Sequence, residues 1–591
     1  MFFNNRMRPA FATAGACNNT PVRCKNHKDA LMLDANSAAD DFGNFSNAQT
    51  HEKAPRRERP AMPHKQPKKK QPFNKLWILA IVAVVAVVLI GILVVSAIRN
   101  SAKDIQYTDN TYLAYLEETG TYRVAVNGKV LEQTFEGETR VIPSLDRSFA
   151  YIECNSADGY LIYLIKGKKV TAITTEDYEI SEVLGYAENE PGVLYREEGN
   201  VYIYNEELGE DLIDKNVDAA NFIISGDAST VIYTRPLEDS AGEYRIYMYR
   251  DGSSAPIGVK NCKPLKVSKN GEYVYGEGSP DGIISKLFCI TTKDGERYPV
   301  CDTNFGAITA MNAAGNEIIY YSLSEDAKIT AYIYSANKNE NFEIAKGKGA
   351  FFPATVDPDV ARCGTFADCY LQSISLSGML TDGENTTSGY TYYVNKKFET
   401  QQIANALGQF SPDEKYFYYV NSKNSLYQVD LNDLDKAPKK IYEDTADFAI
   451  TQKGNIYMLG DEGLLYFYKA STGKKTPISK FAEDISMHHY GNKLYFVNEG
   501  EEGKVYVTEE GSAKELAKFD KVELPTLPEF NSTYSKKSFA YFYDEAAGCS
   551  LFYTANGKSF KLVTNDCEAI ETNDVPAWLS DLYDSLVGGL G

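Results

Sequence analysis

The hydrophobic pattern of the chain contains one long apolar run near its N-terminus. Leu76 to Ile98 reads LWILAIVAVVAVVLIGILVVSAI and carries no charged residue. A buried helix of a soluble domain shows a polar stripe every three or four residues, whereas this run has only Ser96, close to one end. Such a run is long enough to cross the roughly 30 Å hydrocarbon core of a bilayer. The pattern therefore predicts a transmembrane helix over residues 76–98.

Basic residues flanking this run predict its orientation. Eight lysines and arginines lie between Arg56 and Lys75, whereas the near downstream flank offers Arg99 and Lys103. Because basic flanks are retained on the cytoplasmic side, the N-terminus is expected to be cytoplasmic. The competing interpretation is a cleavable signal peptide, since Val95-Ser96-Ala97 resembles a cleavage site. The long preceding tail and the full-length span favour an uncleaved anchor.

Residues 1–75 have a composition typical of disorder. They mix Asn, Ala, Pro, Lys and Arg with few apolar runs, so they bury too little surface to offset chain entropy. We expect a disordered, basic cytoplasmic tail, with a short polar stalk at 99–107 beyond the span. Cys17 and Cys24 lack a second Cys or His pair at metal-binding spacing, so they indicate a zinc site only weakly.

Beyond the stalk, the pattern changes to short runs in which Tyr or aliphatic residues alternate with polar ones. Glu243 to Arg250 reads EYRIYMYR before Asp251-Gly252, and Phe539 to Tyr543 reads FAYFY. Period-two alternation predicts β-strands, and Asp-Gly or Asn-Gly supplies the positive φ angles that hairpin turns require. The sequence therefore predicts an all-β domain.

The predicted strands form a repeat that is anchored on a tyrosine in the second strand of each unit. Successive anchors lie 36 to 46 residues apart, except for a gap of 98 that fits two units. Strands at Tyr370–Leu376 and Tyr390–Lys397 are assigned to the unit without an anchor. A period near 40 residues with about four short strands is typical of a β-propeller blade, so we expect ten or eleven blades. The anchors are Tyr115, Tyr151, Tyr195, Tyr233, Tyr275, Tyr320, Tyr418, Tyr457, Tyr495 and Tyr541.

One segment carries a resemblance to a known family. Phe410 to Tyr419 reads FSPDEKYFYY, which is similar to the F-S-P-D-G-K-x-aromatic signature of TolB-like and WD40-like propeller repeats. With its basic tail, single span and Tyr-rich blades, the chain looks like uncharacterised membrane-anchored propeller proteins of Gram-positive bacteria. The resemblance covers most of residues 108–567 and implies a binding or scaffolding role outside the cytoplasm, with no catalytic residues to transfer. Degenerate copies of the signature are Pro143 to Tyr151, Ile224 to Tyr233, Val267 to Tyr275 and Asn312 to Tyr320.

The repeat count sets the expected domain organisation. A closed ring usually has four to eight blades, so ten or eleven repeats over residues 108–570 predict one large ring or two rings. The range 347–368 interrupts the period and is the predicted joint. The tail 571–591 is expected to contain a short helix. Its apolar residues near one helical face are Trp578, Leu579, Leu582, Leu586 and Val587.

Charge divides at the span. Residues 1–75 carry 14 Lys and Arg against 6 Asp and Glu, whereas the remainder carries 47 against 75, a net charge of −28. An acidic domain of this size repels nucleic acid and favours cations, basic ligands or solubility. We expect the membrane and an unknown protein or cell-wall ligand as partners, and no nucleic acid.

Candidate catalytic residues are scarce beyond the span. His488 and His489 are its histidines, and neither a G-x-S-x-G nor an H-E-x-x-H motif is present. Paired carboxylates such as Glu117-Glu118, Glu197-Glu198 and Glu501-Glu502 could act in glycoside hydrolysis, but their abundance makes no pair specific. The acidic run Asp430 to Asp435 lacks the central Gly of a calcium loop. The sequence nominates no catalytic, cofactor-binding or metal-binding residue, and no cofactor.

Eight cysteines follow the span, an even number that permits disulfides in an oxidising compartment. Two pairs flank the predicted turns Asp294-Gly295 and Asn556-Gly557, so each is expected to face its partner across a hairpin, and a third pair could close a small loop. Buried free thiols are the alternative, because several cysteines lie within apolar strands. The predicted pairs are Cys289 with Cys301, Cys549 with Cys567, and Cys363 with Cys369.

These patterns support one main functional hypothesis and two alternatives. The main hypothesis is a single-pass membrane protein that presents a β-propeller as a binding or scaffolding module at the cell surface. The first alternative is a carbohydrate-active enzyme that uses paired carboxylates. The second is a transmembrane signal relay, suggested by a tail longer than a topology signal needs.

Overall fold

The computed structural model describes residues 110–571 with internal gaps. The predicted tail 1–75, span 76–98, stalk 99–107 and C-terminal helix lie outside the described residues. Within the described part, no helix is long and apolar enough to span a bilayer. The internal gaps are 157–158, 175–179, 208, 216–220, 238–242, 279–284, 324–328, 355–363, 375–388, 488–491, 502–503, 516–537, 545–547 and 556–560.

The described chain consists of antiparallel β-strands grouped in sheets of four, which confirms the predicted all-β class. We number these sheets 1 to 11 in chain order. Sheet 1 combines strands from both ends of the described chain. Its members are β1 (Tyr112–Leu116), β2 (Tyr122–Val126), β3 (Lys129–Val130) and, from the C-terminal end, β43 (Ala569–Glu571).

Sheets 2 and 3 are joined into one eight-stranded sheet by the single pair Tyr160–Ile180. Sheet 2 contains β4 (Glu138–Pro143), β5 (Phe149–Ser156), β6 (Gly159–Lys166) and β7 (Lys169–Ala172). Sheet 3 contains β8 (Ile180–Tyr186), β9 (Gly192–Glu197), β10 (Asn200–Asn205) and β11 (Gly209–Asp214).

Sheets 4 to 6 each take four consecutive strands. Sheet 4 contains β12 (Ile223–Ile224), β13 (Thr230–Pro236), β14 (Tyr244–Arg250) and β15 (Ser253–Lys260). Sheet 5 contains β16 (Lys263–Val267), β17 (Tyr273–Gly278), β18 (Lys286–Thr291) and β19 (Arg297–Cys301). Sheet 6 contains β20 (Asn304–Met311), β21 (Glu317–Leu323), β22 (Ile329–Ser335) and β23 (Glu340–Lys346).

Sheets 7 and 8 continue the same order. Sheet 7 contains β24 (Ala350–Pro353), β25 (Cys369–Ile374), β26 (Gly389–Val394) and β27 (Thr400–Ala404), so the repeat unit predicted without a tyrosine anchor is present. Sheet 8 contains β28 (Gly408–Phe410), β29 (Tyr416–Val420), β30 (Leu426–Asp430) and β31 (Lys439–Tyr442).

Sheets 9 to 11 complete the described chain. Sheet 9 contains β32 (Thr445–Ile450), β33 (Ile456–Gly460), β34 (Leu465–Lys469) and β35 (Lys474–Ser479). Sheet 10 contains β36 (Ala482–Met487), β37 (Lys493–Asn498), β38 (Tyr506–Glu509) and β39 (Ser512–Glu515). The described strands of sheet 11 are β40 (Ser538–Asp544), β41 (Gly548–Thr554) and β42 (Lys561–Cys567).

The sheets follow one another in a cyclic series. Buried clusters join each of sheets 1 to 9 to the next one, and a further cluster joins sheet 11 to sheet 1. In sheet 1, Tyr115 on β1 lies opposite Ile570 on β43. The C-terminal strand therefore completes the sheet that the N-terminal strands begin, which is the closure typical of propellers.

The tyrosine anchors predicted from the sequence lie in these buried seams. Each described anchor has at most 2% of its surface exposed. Three of them donate hydroxyl hydrogen bonds to the backbone of the following sheet: Tyr151 to Gly192 O (3.0 Å), Tyr275 to Gly315 O (2.9 Å) and Tyr457 to Thr508 O (3.3 Å). At these three positions the repeated tyrosine therefore supplies both apolar area and a hydrogen bond between neighbouring sheets.

The signature segment forms the turn between the first two strands of sheet 8. Ser411 Oγ donates to Asp413 Oδ1 (2.7 Å) and accepts from the Tyr416 backbone N–H (3.0 Å). Glu414 completes the turn with φ +53°, where the corresponding residue of sheet 5 is Gly271 at +68°. The motif is therefore structural, because it reverses the chain between strands.

The range 347–368 contributes packed residues to sheet 7. It contains β24 and Phe366, which lies in the cluster between sheets 6 and 7. Ala354 packs on the other side, in the cluster between sheets 7 and 8. A division of the repeats into two rings at this range stays a prediction.

Candidate functional site

The first predicted cysteine pair does not face across its hairpin. Cys289 lies opposite Tyr298, and Cys301 lies opposite Leu287. Both are buried free thiols, so the predicted register of this pair is wrong. The connection between the strands is a four-residue loop ending at Gly295, so Cys289 pairs with a residue three positions before Cys301.

The second predicted pair has the expected register. Cys549 lies directly opposite Cys567 on β41 and β42. The side chain of Cys549 is outside the described residues, so the disulfide itself stays a prediction. In the third pair, Cys363 also lies outside the described residues, and Cys369 Sγ donates to Phe366 O at 2.9 Å.

In two of the carboxylate pairs considered for catalysis, one glutamate makes a local side-chain contact. Glu117 Oε1 lies 3.6 Å from Arg123 Nε. The carboxylate of Glu501 accepts a hydrogen bond from Asn498 Nδ2 at 3.0 Å. His488 and His489 fall in a gap of the description. Among the described residues, no group of three or more potential ligands is placed to hold a metal ion.

A charged cleft lies where the turns of sheets 9 and 10 meet. Its volume is about 360 Å³, and most of the side chains that line it are charged, with Lys453, Glu509 and Glu510 exposed. The residues that we call the charged cleft are Lys453, Lys493, Val507, Glu509, Glu510 and Ser512.

Strand register places most of the cleft residues on one face of sheet 10. Lys493 on β37 lies opposite Glu509 on β38, and Glu509 lies opposite Ser512 on β39. Residues opposite one another in an antiparallel sheet share a face, and Val507, two positions before Glu509, joins them. The other face packs against sheet 9 through Leu494.

The repeat tyrosine of sheet 9 fixes the turn that carries the cleft carboxylates. Tyr457 Oη accepts from the Glu510 backbone N–H (3.0 Å) and donates to Thr508 O (3.3 Å). Burial raises the pKa of Tyr457 to about 12, so the hydroxyl is protonated at neutral pH and can donate. The charged turn of sheet 10 is therefore held by the preceding sheet.

Two ammonium groups and two carboxylates meet in the cleft. Lys453, from the turn before β33, forms a short ion pair with Glu510. This contact raises the pKa of Lys453 and lowers that of Glu510, so both groups are charged at neutral pH. Lys493 is more enclosed, with 21% of its side chain exposed, and its Nζ lies 3.9 Å from Glu509 Oε2.

The sequence did not single out any residue of this cleft. Its lysines and glutamates come from three separate turns or strand ends, and each stands among many charged residues in an acidic domain. The Tyr457 anchor was predicted, but its hydroxyl partner was not. The nearest available signal was Glu509-Glu510-Gly511, in which an acidic pair precedes a glycine at a turn.

Comparison with solved structures gives distant matches. TolB from Acinetobacter baumannii is 15% identical with a TM-score of 0.25, covering 41% of this chain and 65% of TolB. An oligogalacturonate lyase from Vibrio parahaemolyticus is 11% identical with a TM-score of 0.31, covering 55% of this chain and 97% of the lyase. The β-propeller domain of the Trilobed protease from Pyrococcus furiosus is 12% identical with a TM-score of 0.23, covering 60% of this chain and 98% of that domain.

These matches are too distant to assign a family or an activity to the chain. No protein-family model matches the chain, and no curated protein matches it either. The assignment to the propeller class rests on the strand order and closure described above. Similarity to membrane-anchored proteins of Gram-positive bacteria stays a prediction.

Proposed function

We propose that the chain is a binding or scaffolding module, displayed outside the cytoplasm on a single-pass membrane anchor with its N-terminus inside. The observation that carries this proposal is the cyclic series of sheets closed by β43 on β1. Such a scaffold holds its turns at fixed positions, and ligands are commonly bound by turns on a rigid framework.

The electrostatics of the charged cleft support binding over acid–base catalysis. A general acid or base works best when its pKa lies near the operating pH. In the cleft, the contact between Lys453 and Glu510 moves both pKa values away from neutrality, because each charged form stabilises the other. Neither group is therefore suited to proton transfer near neutral pH.

The topology part of the proposal is tested by protease treatment of intact cells that express the full chain. We expect the domain beyond residue 108 to be digested from outside, because the basic flank before Leu76 favours a cytoplasmic N-terminus. An epitope tag placed before residue 50 should remain protected until the cells are opened.

A variant with reversed flanking charge provides the control for this experiment. Replacing the basic residues between Arg56 and Lys75 by glutamine, and adding lysines after Arg99, should increase the fraction of chains whose large domain is protected. Protection of the large domain in intact cells expressing the unmodified chain would contradict the proposed display.

A further inference from the structure

Three cationic residues form a row across sheet 4, which we call the basic row. Arg235 on β13 lies opposite Arg245 on β14, and Arg245 lies opposite Lys260 on β15. Residues opposite one another in an antiparallel sheet share a face, and like charges in that position are destabilising. The basic row is thus a concentration of positive charge in a part of the chain whose net charge is −28.

Arg245 is the member of the basic row that lacks a partner. Its side chain is partly buried, and its Nε atom is shielded from solvent. Among the described residues, none accepts a hydrogen bond from this Nε, and no carboxylate pairs with the guanidinium. Arg123 has the matching position as the second residue of β2, and its Nε lies 3.6 Å from Glu117 Oε1. Arg245 therefore keeps a desolvated donor, which gains from an acceptor that a ligand supplies.

The other two members of the basic row have partners of their own. Arg235 forms an ion pair with Asp214. Lys260 Nζ lies 3.8 Å from Glu243 Oε2, which is longer than a hydrogen bond, and 52% of the Lys260 side chain is exposed. Three cations and two carboxylates leave one positive charge uncompensated, which is that of Arg245. Because an exposed ion pair of this length is weak, Lys260 can turn towards an anion on Arg245.

The geometry of a guanidinium determines which group fits it. Its donors form a planar fork that pairs with two oxygens of one carboxylate or phosphate group. Neighbouring strands lie about 4.8 Å apart, so an anion on Arg245 is within reach of the long side chain of Lys260. An anionic polymer would extend from the row over the rest of an acidic domain, where its other charges are repelled. A small ligand with one oxyanion group therefore fits the row better.

We propose that the basic row binds a small ligand through one oxyanion group, a carboxylate or a phosphate. Arg245 donates two hydrogen bonds to this group, Lys260 approaches it from the adjacent strand, and Arg235 adds its charge while it stays paired. This inference rests on the proposed binding function and names the chemical class of ligand that the module takes.

Thermal melting of the purified full-length chain, followed by circular dichroism, tests the proposal. The probes are inorganic phosphate and acetate, each replacing chloride at constant ionic strength so that general screening does not change. We expect the melting temperature to rise with the anion concentration and to saturate, because a ligand that binds the folded state alone stabilises it. Either anion supports the ligand class, and the lower apparent Kd identifies the group. Tighter binding of polyglutamate than of acetate would reject a small ligand.

Variants locate the site. R245M should weaken binding of the tighter anion about 10-fold or more, because it removes the charge-assisted contacts. R245K keeps the charge without the planar fork, so its affinity should fall between those of R245M and the unmodified chain. In chloride alone, R245M should melt no lower than the unmodified chain, because it relieves the like-charge opposition in the row. R123M is the matched control and should leave the affinity unchanged, since Arg123 already has a carboxylate partner.

Three results would overturn the inference: no saturable rise with either anion, equal affinity of R245M and the unmodified chain, or a lower melting temperature of R245M in chloride alone, which would show a structural role. The protease experiment is independent of these measurements. Surface display without anion binding would reject the ligand class alone, whereas a protected domain would reject the proposed display.

Discussion

Glu414 occupies a left-handed backbone position that two related turns of this chain fill with glycine and two others fill with Arg147 and Ala228. Its φ is +53°, compared with +68° at Gly271 and +73° at Gly315. A non-glycine residue in this region carries strain of about 1–2 kcal/mol. Glycine relieves this strain, but its larger conformational entropy in the unfolded chain offsets part of the gain. We expect E414G to stabilise the domain by about 0.5–1 kcal/mol, measured as a higher urea midpoint.

The neighbouring residue supplies the control for this prediction. Lys415 is outside the left-handed region, so K415G should lower the urea midpoint through the entropy of glycine alone. If E414G also lowered the midpoint, the strain assigned to Glu414 would be absent.

At the scale of single residues, the sequence is informative about burial and less so about partners. The anchors such as Tyr457 were predicted because strands between two sheets bury an aromatic at a regular period. The hydroxyl contact of Tyr457 with Glu510 depends on the position of a different sheet, which period alone does not specify. For the same reason, the sequence does not reveal the ion pair of Lys493, because its partner Glu509 lies on the neighbouring strand.

At the scale of elements, loop length decides the register of a hairpin. The sequence suggested Asp294-Gly295 as a two-residue turn, which would place Cys289 near Cys301. The observed loop has four residues, because Thr291 and Glu296 close it through the bond from Thr291 N to Glu296 O (3.1 Å). Gly295 is then the last residue of the loop, with a left-handed backbone. The dipeptide Asp-Gly alone does not show whether its glycine is the last residue of a four-residue loop or a central residue of a two-residue turn.

The connection between β42 and β43 gives a prediction about closure of the cyclic series. Glu568 N–H donates to Leu116 O at 2.8 Å, just before β43 pairs with β1. Proline at this position removes the donor and leaves a carbonyl without its partner, so we expect E568P to cost about 1–3 kcal/mol. Hydrogen exchange of peptides covering residues 112–116 should become faster.

E568A keeps the backbone donor and is the control, with exchange over residues 112–116 close to that of the unmodified chain. Equal protection in E568P would show that pairing of β43 with β1 does not depend on this contact.

At the scale of the whole molecule, buried acids with raised pKa values predict sensitivity to alkali. Burial raises the pKa of the Cys154 thiol to about 11, and those of Cys262, Tyr115 and Tyr457 to about 12. Because these pKa values lie above those of the unfolded chain, the protonated forms favour folding. Their stabilisation is complete below about pH 9 and is lost as pH rises towards 12.

Thermal melting between pH 8 and pH 12, followed by circular dichroism, should therefore show a falling midpoint above about pH 9. Phenolate absorbance of the buried tyrosines should rise together with unfolding, while the chain in urea titrates near pH 10. Complete tyrosine ionisation near pH 10 with the fold intact would contradict the expected protection.

The pairing of β43 with β1 also sets a time order for the making of the protein. About 450 residues separate Leu116 from Ala569, so synthesis at about 5–20 residues per second leaves β1 without its partner for roughly 20–90 s. A hairpin forms in microseconds, so sheets in the middle of the chain can be complete long before the first one. β1 reads YLAYL and is buried in the folded domain. Until β43 is synthesised, β1 is therefore an exposed hydrophobic edge strand that is prone to aggregation. The pairing of β43 with β1 therefore forms only after translation has reached about residue 571. Fragments that end earlier leave the hydrophobic edge of β1 exposed, which is a feature that chaperones and proteases recognise.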